Sequence, residues 1–181
     1  MTSPLAHPFE SLTPDFILNA VEQNGYVSDG RMLALNSYEN RVYQVGIEDG
    51  EPIVAKFYRP ERWSDAQILE EHAFCFELVE RDIPVVPPIV DAQGSSLFMA
   101  GNFRLALFTR RGGRTPDIDD LDNLLVLGRL LGRIHLAGAQ RPFEHRRSID
   151  CQTFGHDSVA LIGGHFIPAE LQQAYDTLAN D

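Results

Sequence analysis

Alternating apolar and polar positions in the first half of the chain predict an antiparallel sheet. The runs MLAL and RVYQVGI are joined by the loop NSYEN, and Glu48-Asp49-Gly50 then turns the chain into a third run, PIVAKFY. Farther on, SSLFMA and FRLALFT flank Gly101-Asn102 and indicate a second hairpin. The intervening IPVVPPIV is too rich in proline for a central strand and suits an edge strand or an extended connector.

Helical periodicity surrounds this sheet. A helix begins after Thr13, with proline at its first position, and another begins at Ser64 with a capping box and runs to about Asp82. LDNLLVLGRLLGRIHLAG predicts a long helix that is buried over much of its surface, and AELQQAYDTLA a shorter one. The order of elements predicts an α/β (α+β) fold.

Glycine, proline and charge replace the alternating pattern at TRRGGRTPDIDD, which is typical of a boundary between lobes. We therefore expect a first lobe over residues 1–108, a hinge over 109–114 and the start of a second lobe over 115–181.

Composition narrows the class of protein. The chain has 181 residues, is 44% hydrophobic and carries a net charge of −11, so its overall field opposes binding to nucleic acid or to an anionic membrane. MTSPLAHPFE lacks the basic start of a signal peptide, and no apolar run is long enough to span a bilayer. We expect a soluble cytoplasmic protein. Cys75 and Cys151 lack the spacing of a zinc site.

One charged residue interrupts the third predicted strand. Strand alternation places Lys56 on the same side as Val54 and Tyr58. Such a lysine either lies exposed on a half-solvated strand or meets an anion in a cleft.

The next helix supplies a partner for this lysine. Glu71 lies at the border of the apolar arc of that helix, where it either reaches water or pairs with a cation, because an unpaired buried charge is costly. Lys56 is the nearest candidate. In the loop before the second strand, the Ser37 hydroxyl is able to donate to a phosphate oxygen, although a plain polar loop explains it equally well.

The three runs LNSYENRVYQ, VAKFYRPERW and QILEEH together resemble the N-terminal half of the stress response kinase A (YihE) family. These bacterial proteins belong to the aminoglycoside phosphotransferase and choline kinase-like group. The resemblance implies a protein kinase-like fold, the use of ATP and Mg²⁺, and phosphorylation of serine and threonine in proteins during stress responses. It also implies a protein that is monomeric when complete.

Carried over by position, the resemblance assigns Ser37 to the ATP-site loop, Lys56 to the α- and β-phosphates, and Glu71 to the ion pair that orients the lysine. The segment 108–111 would be the hinge beside adenine.

The family's catalytic loop, His-Gly-Asp with an asparagine five residues after the Asp, is not found in the sequence. Gly155-His156-Asp157 has the wrong order, and Asp117-Ile118-Asp119 suits a helix start better than a metal pair. We expect no catalytic or metal-binding residue in these 181 residues, with the magnesium ligands in a missing C-terminal portion.

The sequence therefore predicts the nucleotide-binding portion of an ATP-dependent serine/threonine protein kinase, inactive alone. The alternatives are a small-molecule phosphotransferase of the aminoglycoside, choline or homoserine kinase type, and a noncatalytic half-kinase that binds nucleotide or a partner.

Overall fold

A computed structural model describes residues 7–163 and 165–180. The chain divides into two compact units, Met1–Pro142 and Phe143–Asp181. The first unit holds a five-stranded antiparallel sheet with the order β1-β2-β3-β5-β4. Its strands are β1 (Ser28–Leu35), β2 (Arg41–Ile47), β3 (Ile53–Phe57), β4 (Phe98–Ala100) and β5 (Phe103–Thr109). The predicted mixed fold, with three strands and a later hairpin, is confirmed.

Three helices complete the first unit: α1 (Pro14–Glu22), α2 (Asp65–Glu80) and α3 (Leu121–Gly138). The Thr13 side chain caps α1 by accepting from the backbone N–H of Phe16. At the start of α2 the capping box is complete, because Ser64 Oγ accepts from Gln67 N and the Gln67 side chain accepts from Ser64 N. Both predicted helix starts are confirmed.

The main core fills the space between α1 and one face of the sheet. It includes Ile17 and Val21 of α1 together with Val45, Phe57 and Phe103 of the strands, all of them buried. The Phe57 and Phe103 rings meet edge to face at 6.2 Å between centroids. Each such side chain stabilises the fold by about 2–3 kcal/mol through burial.

A second, smaller cluster lies on the opposite face, where α2 packs. Its buried members are Tyr58, Ile68 and Ala106, and Trp63 lies against them. The segment 83–90, predicted as an edge strand or connector, is a connector: the structure gives it an isolated bridge between Pro88 and Phe108 rather than a strand.

The prediction that α3 is buried over much of its surface is wrong. Ala137 is its one buried residue, and it packs near the end of the helix with Leu78 and Ile83. Leu121 is 78% exposed and Leu125 53%. Periodicity identifies an apolar face, but it carries no information on whether the covering surface belongs to the same chain.

The second unit is helical. A π-helical turn (Gln152–His156) leads into α4 (Asp157–Gly163), and α5 (Gln172–Asn180) follows. The last predicted helix is confirmed except for its first turn, whereas the π-helical turn and α4 were not predicted. Among residues 7–163 and 165–180, no helix combines the length and apolar character that crossing a membrane requires.

Candidate nucleotide-binding site

The central strand β3 fixes the position of Lys56. Its backbone pairs with Val42 of β2 on one side and Ala106 of β5 on the other, so the lysine cannot slip along the sheet. As alternation predicts, Lys56 shares a face with Tyr58, and its ammonium lies 4.4 Å from the centroid of that ring. This is the face against which α2 packs.

The structure joins Lys56 to Glu71. Lys56 Nζ donates to Glu71 Oε1 at 2.8 Å, and the two side chains are 20% and 31% exposed. A charge-assisted hydrogen bond of this length holds the ammonium in one place. Of the readings that the sequence left open, the ion pair is the one observed, and its remaining exposure leaves the ammonium accessible from solvent.

The next residue on the helix anchors Glu71. His72 is buried, and its two ring nitrogens lie 2.9 Å from Tyr58 Oη and 2.8 Å from Ser96 Oγ. These bonds connect α2 to the end of β3 and to the segment before β4. A buried, satisfied polar network of this kind fixes orientation, so the direction in which Glu71 projects is set by its neighbour.

Cys75 lies one helical turn beyond Glu71. Burial raises the pKa of its thiol, and the nearby Glu71 carboxylate raises this pKa further, against a smaller opposing effect of the Lys56 ammonium. The thiol is therefore protonated and unreactive near neutral pH.

The loop over residues 36–40 carries Ser37. The Ser37 hydroxyl donates to the carbonyl oxygen of Asn40 at 2.9 Å, so its hydrogen bond lies within the loop. The structure thus brings Lys56 and Glu71 together, while Ser37 is held by its own loop.

The same loop is bonded to the connection between β3 and α2, a contact that no sequence motif indicates. Glu39 Oε1 accepts from the indole N–H of Trp63 at 2.6 Å and from Arg62 Nε at 3.2 Å. The Asn40 side-chain oxygen accepts from the backbone N–H of Arg59 at 3.3 Å. A glutamate and a tryptophan 24 positions apart show no recognisable spacing.

A cavity of about 800 Å³ opens at the loop end of the sheet. It lies on the side opposite Lys56, because its wall includes Arg41, which pairs across the sheet with the core residue Phe57. The lining residues are His7, Pro8, Phe9, Tyr38, Glu39, Arg41, Arg59, Pro60, Glu61 and Arg62. Three arginines and two glutamates line it, so charges of both signs face the cavity.

The acidic segment before α3 behaves as a helix start. Asp120 caps α3 by accepting from the backbone N–H of Asp122, and Asp117 accepts from the N–H of Asp119. Within residues 7–163 and 165–180, no three His, Cys, Asp or Glu side chains come together as a metal-binding group.

One compositional signal for the site was missed. Lys56 is the only lysine in the chain, and the other fourteen of the fifteen basic residues are arginine. A flexible ammonium and a planar guanidinium are not interchangeable at a site that contacts phosphate. The single lysine of the chain therefore lies at the position where the chemistry of an ammonium matters.

Curated relatives share nearly half of the residues. Stress response kinase A of Escherichia coli (strain K12) is 44% identical over 171 residues, which cover 94% of this chain and 52% of that protein. Serine/threonine protein kinase RdoA of Salmonella typhimurium is 44% identical over 144 residues, or 80% of this chain and 44% of that protein. The chain thus spans about half the length of the curated relatives that it matches.

Solved structures share the fold. The amicoumacin kinase hAmiN, in complex with AMP-PNP, Ca²⁺ and Ami, superposes with a TM-score of 0.69 at 22% identity, over 92% of this chain and 52% of that one. A microcompartment-associated aminopropanol kinase superposes with a TM-score of 0.59 at 22% identity, over 77% of this chain and 47% of that one. The architecture is therefore that of kinase-like phosphotransferases.

A model of the phosphotransferase enzyme family matches residues 32–157, a range that contains Ser37, Lys56 and Glu71. Because this match covers more than half of the 181 residues, the chain belongs to the phosphotransferase enzyme family, as a homologue of the stress response kinases.

Proposed function

We propose that this chain is the nucleotide-binding portion of an ATP-dependent kinase that transfers the γ-phosphoryl group to serine or threonine of a protein. The observation that carries the proposal is the 2.8 Å pair between Lys56 and Glu71, formed by a central strand and the helix packed on it. In kinase-like folds this arrangement holds the α- and β-phosphates of ATP.

Each residue then has a separate task. The Lys56 ammonium contacts phosphate oxygens, Glu71 keeps it in position, and the loop that carries Ser37 covers the phosphates from the other side. Two of these groups are held in place by the protein itself, since Lys56 and Glu71 form an ion pair and His72 anchors the helix beside Glu71. Binding therefore spends little free energy on ordering them.

Magnesium fits this proposal only through residues outside the chain. Mg²⁺ takes oxygen ligands, chiefly carboxylates and phosphates. The carboxylate beside the lysine is already paired, and no three or more His, Cys, Asp or Glu side chains come together as a metal-binding group among the described residues. We infer that the metal ligands and the catalytic base belong to a longer protein, and that these 181 residues alone do not transfer phosphate.

The acceptor separates two candidate functions. One relative of 44% identity is named as a serine/threonine protein kinase, and this favours a protein hydroxyl as the acceptor. The structural neighbours are named as kinases of amicoumacin and aminopropanol, and this favours a small-molecule acceptor. We give precedence to the protein acceptor because the sequence similarity to that relative is twice as high. A cytoplasmic enzyme, monomeric at full length, completes the proposal.

The test uses a protein with the full length of the relatives and measures phosphate transfer from ATP. Lys56→Ala and Glu71→Ala should each lower kcat/KM by about a hundredfold or more, because both weaken the hold on the phosphates. Glu80→Ala, an exposed carboxylate on the last turn of the same helix, is the matched control.

If Lys56→Ala and Glu71→Ala transferred phosphate at the wild-type rate while folding normally, the proposed site would be wrong. Transfer to a small amino alcohol, with none to any protein, would leave the site in place and select the second function.

A further inference from the structure

The loop that carries Ser37 is held by a side-chain latch formed by Glu39, Arg62 and Trp63. Glu39 Oε1 receives two hydrogen bonds, a short one of 2.6 Å from the indole N–H of Trp63 and one of 3.2 Å from Arg62 Nε. The Arg62 guanidinium also lies 4.9 Å from the centroid of the Trp63 ring. One carboxylate thus joins two donors that are stacked on each other.

The latch connects the two sides of the proposed phosphate site. Glu39 is two residues from Ser37 in the loop, and Trp63 immediately precedes Ser64, the N-cap of α2. The Trp63 ring packs beside Tyr58 and Ile68 in the smaller cluster. The loop is therefore held in position against the start of α2, the helix that carries Glu71.

Apart from the latch, the loop has few contacts: Ser37 bonds to Asn40 within the loop, and the Asn40 side chain accepts from the backbone N–H of Arg59 at 3.3 Å. Tyr38, next to Ser37, is fully exposed, and residues 36–40 contribute no side chain to the buried clusters of the described chain. Its sequence also lacks the glycines that let a phosphate loop approach its ligand through backbone N–H groups alone. A loop of this kind needs an external anchor to hold one conformation without ligand.

We propose that Glu39 is a positioning residue for nucleotide binding: through Trp63 and Arg62 it holds the Ser37 loop in one position relative to α2, the helix that carries Glu71. The inference rests on the proposed function. Glu39 does not contact the phosphates; its effect passes through Ser37, so its loss weakens binding of ATP more than it slows the transfer step.

The experiment measures KM for ATP and kcat in the full-length protein. Glu39→Ala removes both hydrogen bonds and should raise KM by about tenfold with kcat within about twofold of wild type. Glu39→Gln keeps an acceptor for Trp63 and should recover most of that loss. Trp63→Phe keeps the ring without the donor and leaves the bond from Arg62, so it should raise KM less than Glu39→Ala does, and the double variant should be no worse than Glu39→Ala alone.

Glu51→Ala is the matched control, since Glu51 is an exposed carboxylate at the turn on the other end of the hairpin. It should leave KM unchanged. If Lys56→Ala abolishes transfer but Glu39→Ala has the KM of wild type, the latch is wrong and the proposed function stands. If Lys56→Ala transfers normally, the proposed function itself fails.

Tryptophan fluorescence tests the latch independently of enzymatic activity. Trp63 is the only tryptophan of the 181 residues, so the fluorescence of this chain reports its surroundings alone. Glu39→Ala should change the emission relative to wild type, and Glu39→Gln should change it less. Identical emission from wild type and Glu39→Ala, both folded by circular dichroism, would overturn the latch.

Discussion

The sheet region, residues 7–109, and the α3 region, residues 110–142, use apolar side chains in opposite ways. Val45, Phe57 and Phe103 of the sheet region are completely buried, whereas Leu121 and Leu125 of α3 are 78% and 53% exposed. Both regions carry strong apolar patterns. The difference shows that the sheet region supplies its own covering surfaces, and that the described part of the chain leaves most of α3 uncovered.

The candidate site lies in the sheet region, where the apolar side chains are buried by other parts of the same region. Lys56 belongs to a strand with neighbours on both sides, and Glu71 to a helix that is capped and anchored through His72. The apolar surface of α3 instead resembles an interface without its partner. The predictions below test how sharply the two regions differ.

The largest expected effect is the loss of a core ring. Phe103→Ala should lower the free energy of unfolding by about 3–5 kcal/mol, because the ring contacts Phe9, Phe16 and Phe57 and leaves a cavity among them. Leu125→Ala, on exposed α3, should cost less than about 0.5 kcal/mol. Denaturant unfolding measures both.

If Phe103→Ala fails to accumulate, Ile17→Val in the same core should still cost about 1 kcal/mol. Equal costs at Ile17 and Leu125 would remove the distinction between the regions.

The next largest effect belongs to the buried histidine. His72→Ala should cost about 2–3 kcal/mol, since it empties a packed position and strips Tyr58 Oη and Ser96 Oγ of a hydrogen-bond partner. Thermal unfolding is the measurement, with Glu80→Ala on the same helix as a neutral control. A loss no larger than that of the control would mean that this network does not anchor α2.

Helix caps provide a finer comparison. Ser64→Ala should lower the free energy of unfolding by about 1 kcal/mol, because it destroys the capping box of α2. Asp120→Ala removes the cap of α3 in the same way, yet it should scarcely alter the midpoint of global unfolding if α3 opens independently of the sheet. Amide hydrogen exchange should show faster exchange of α3 in Asp120→Ala. A global loss equal to that of Ser64→Ala would show that α3 unfolds with the sheet.

The smallest effect concerns the two cysteines. Because burial and Glu71 raise the pKa of Cys75, its thiolate is scarce near pH 8, and iodoacetamide should modify it more slowly than the exposed Cys151. The pKa of Cys75 is higher in the folded than in the unfolded chain. The contribution of Cys75 to the free energy of unfolding therefore decreases as the pH rises above the ordinary pKa of a thiol. Equal modification rates, followed by peptide mass spectrometry, would contradict the burial of Cys75.

The sequence was sufficient where local chemistry and packing agree. Strand alternation placed Lys56, the Ser64 capping box located α2, and the apolar arc of that helix put Glu71 at its border. It was insufficient where the outcome depends on distant partners. The bond from Trp63 to Glu39 joins residues 24 apart without a motif, and the exposure of α3 depends on surfaces that periodicity does not encode.

The most direct test of the central claim is the reactivity of the single lysine. Lys56 is the only lysine of these 181 residues, so in peptide mass spectrometry the peptide that contains it reports the acylation of this one amine, and the α-amino group serves as the internal reference. In the full-length protein, saturating ATP with Mg²⁺ should slow acylation of Lys56 by about tenfold or more, because an ammonium bonded to phosphate oxygens is protected from the reagent. The acylation rate of the α-amino group should not change. Acylation of Lys56 at the same rate with and without nucleotide would contradict the proposal that this lysine holds the phosphates of ATP.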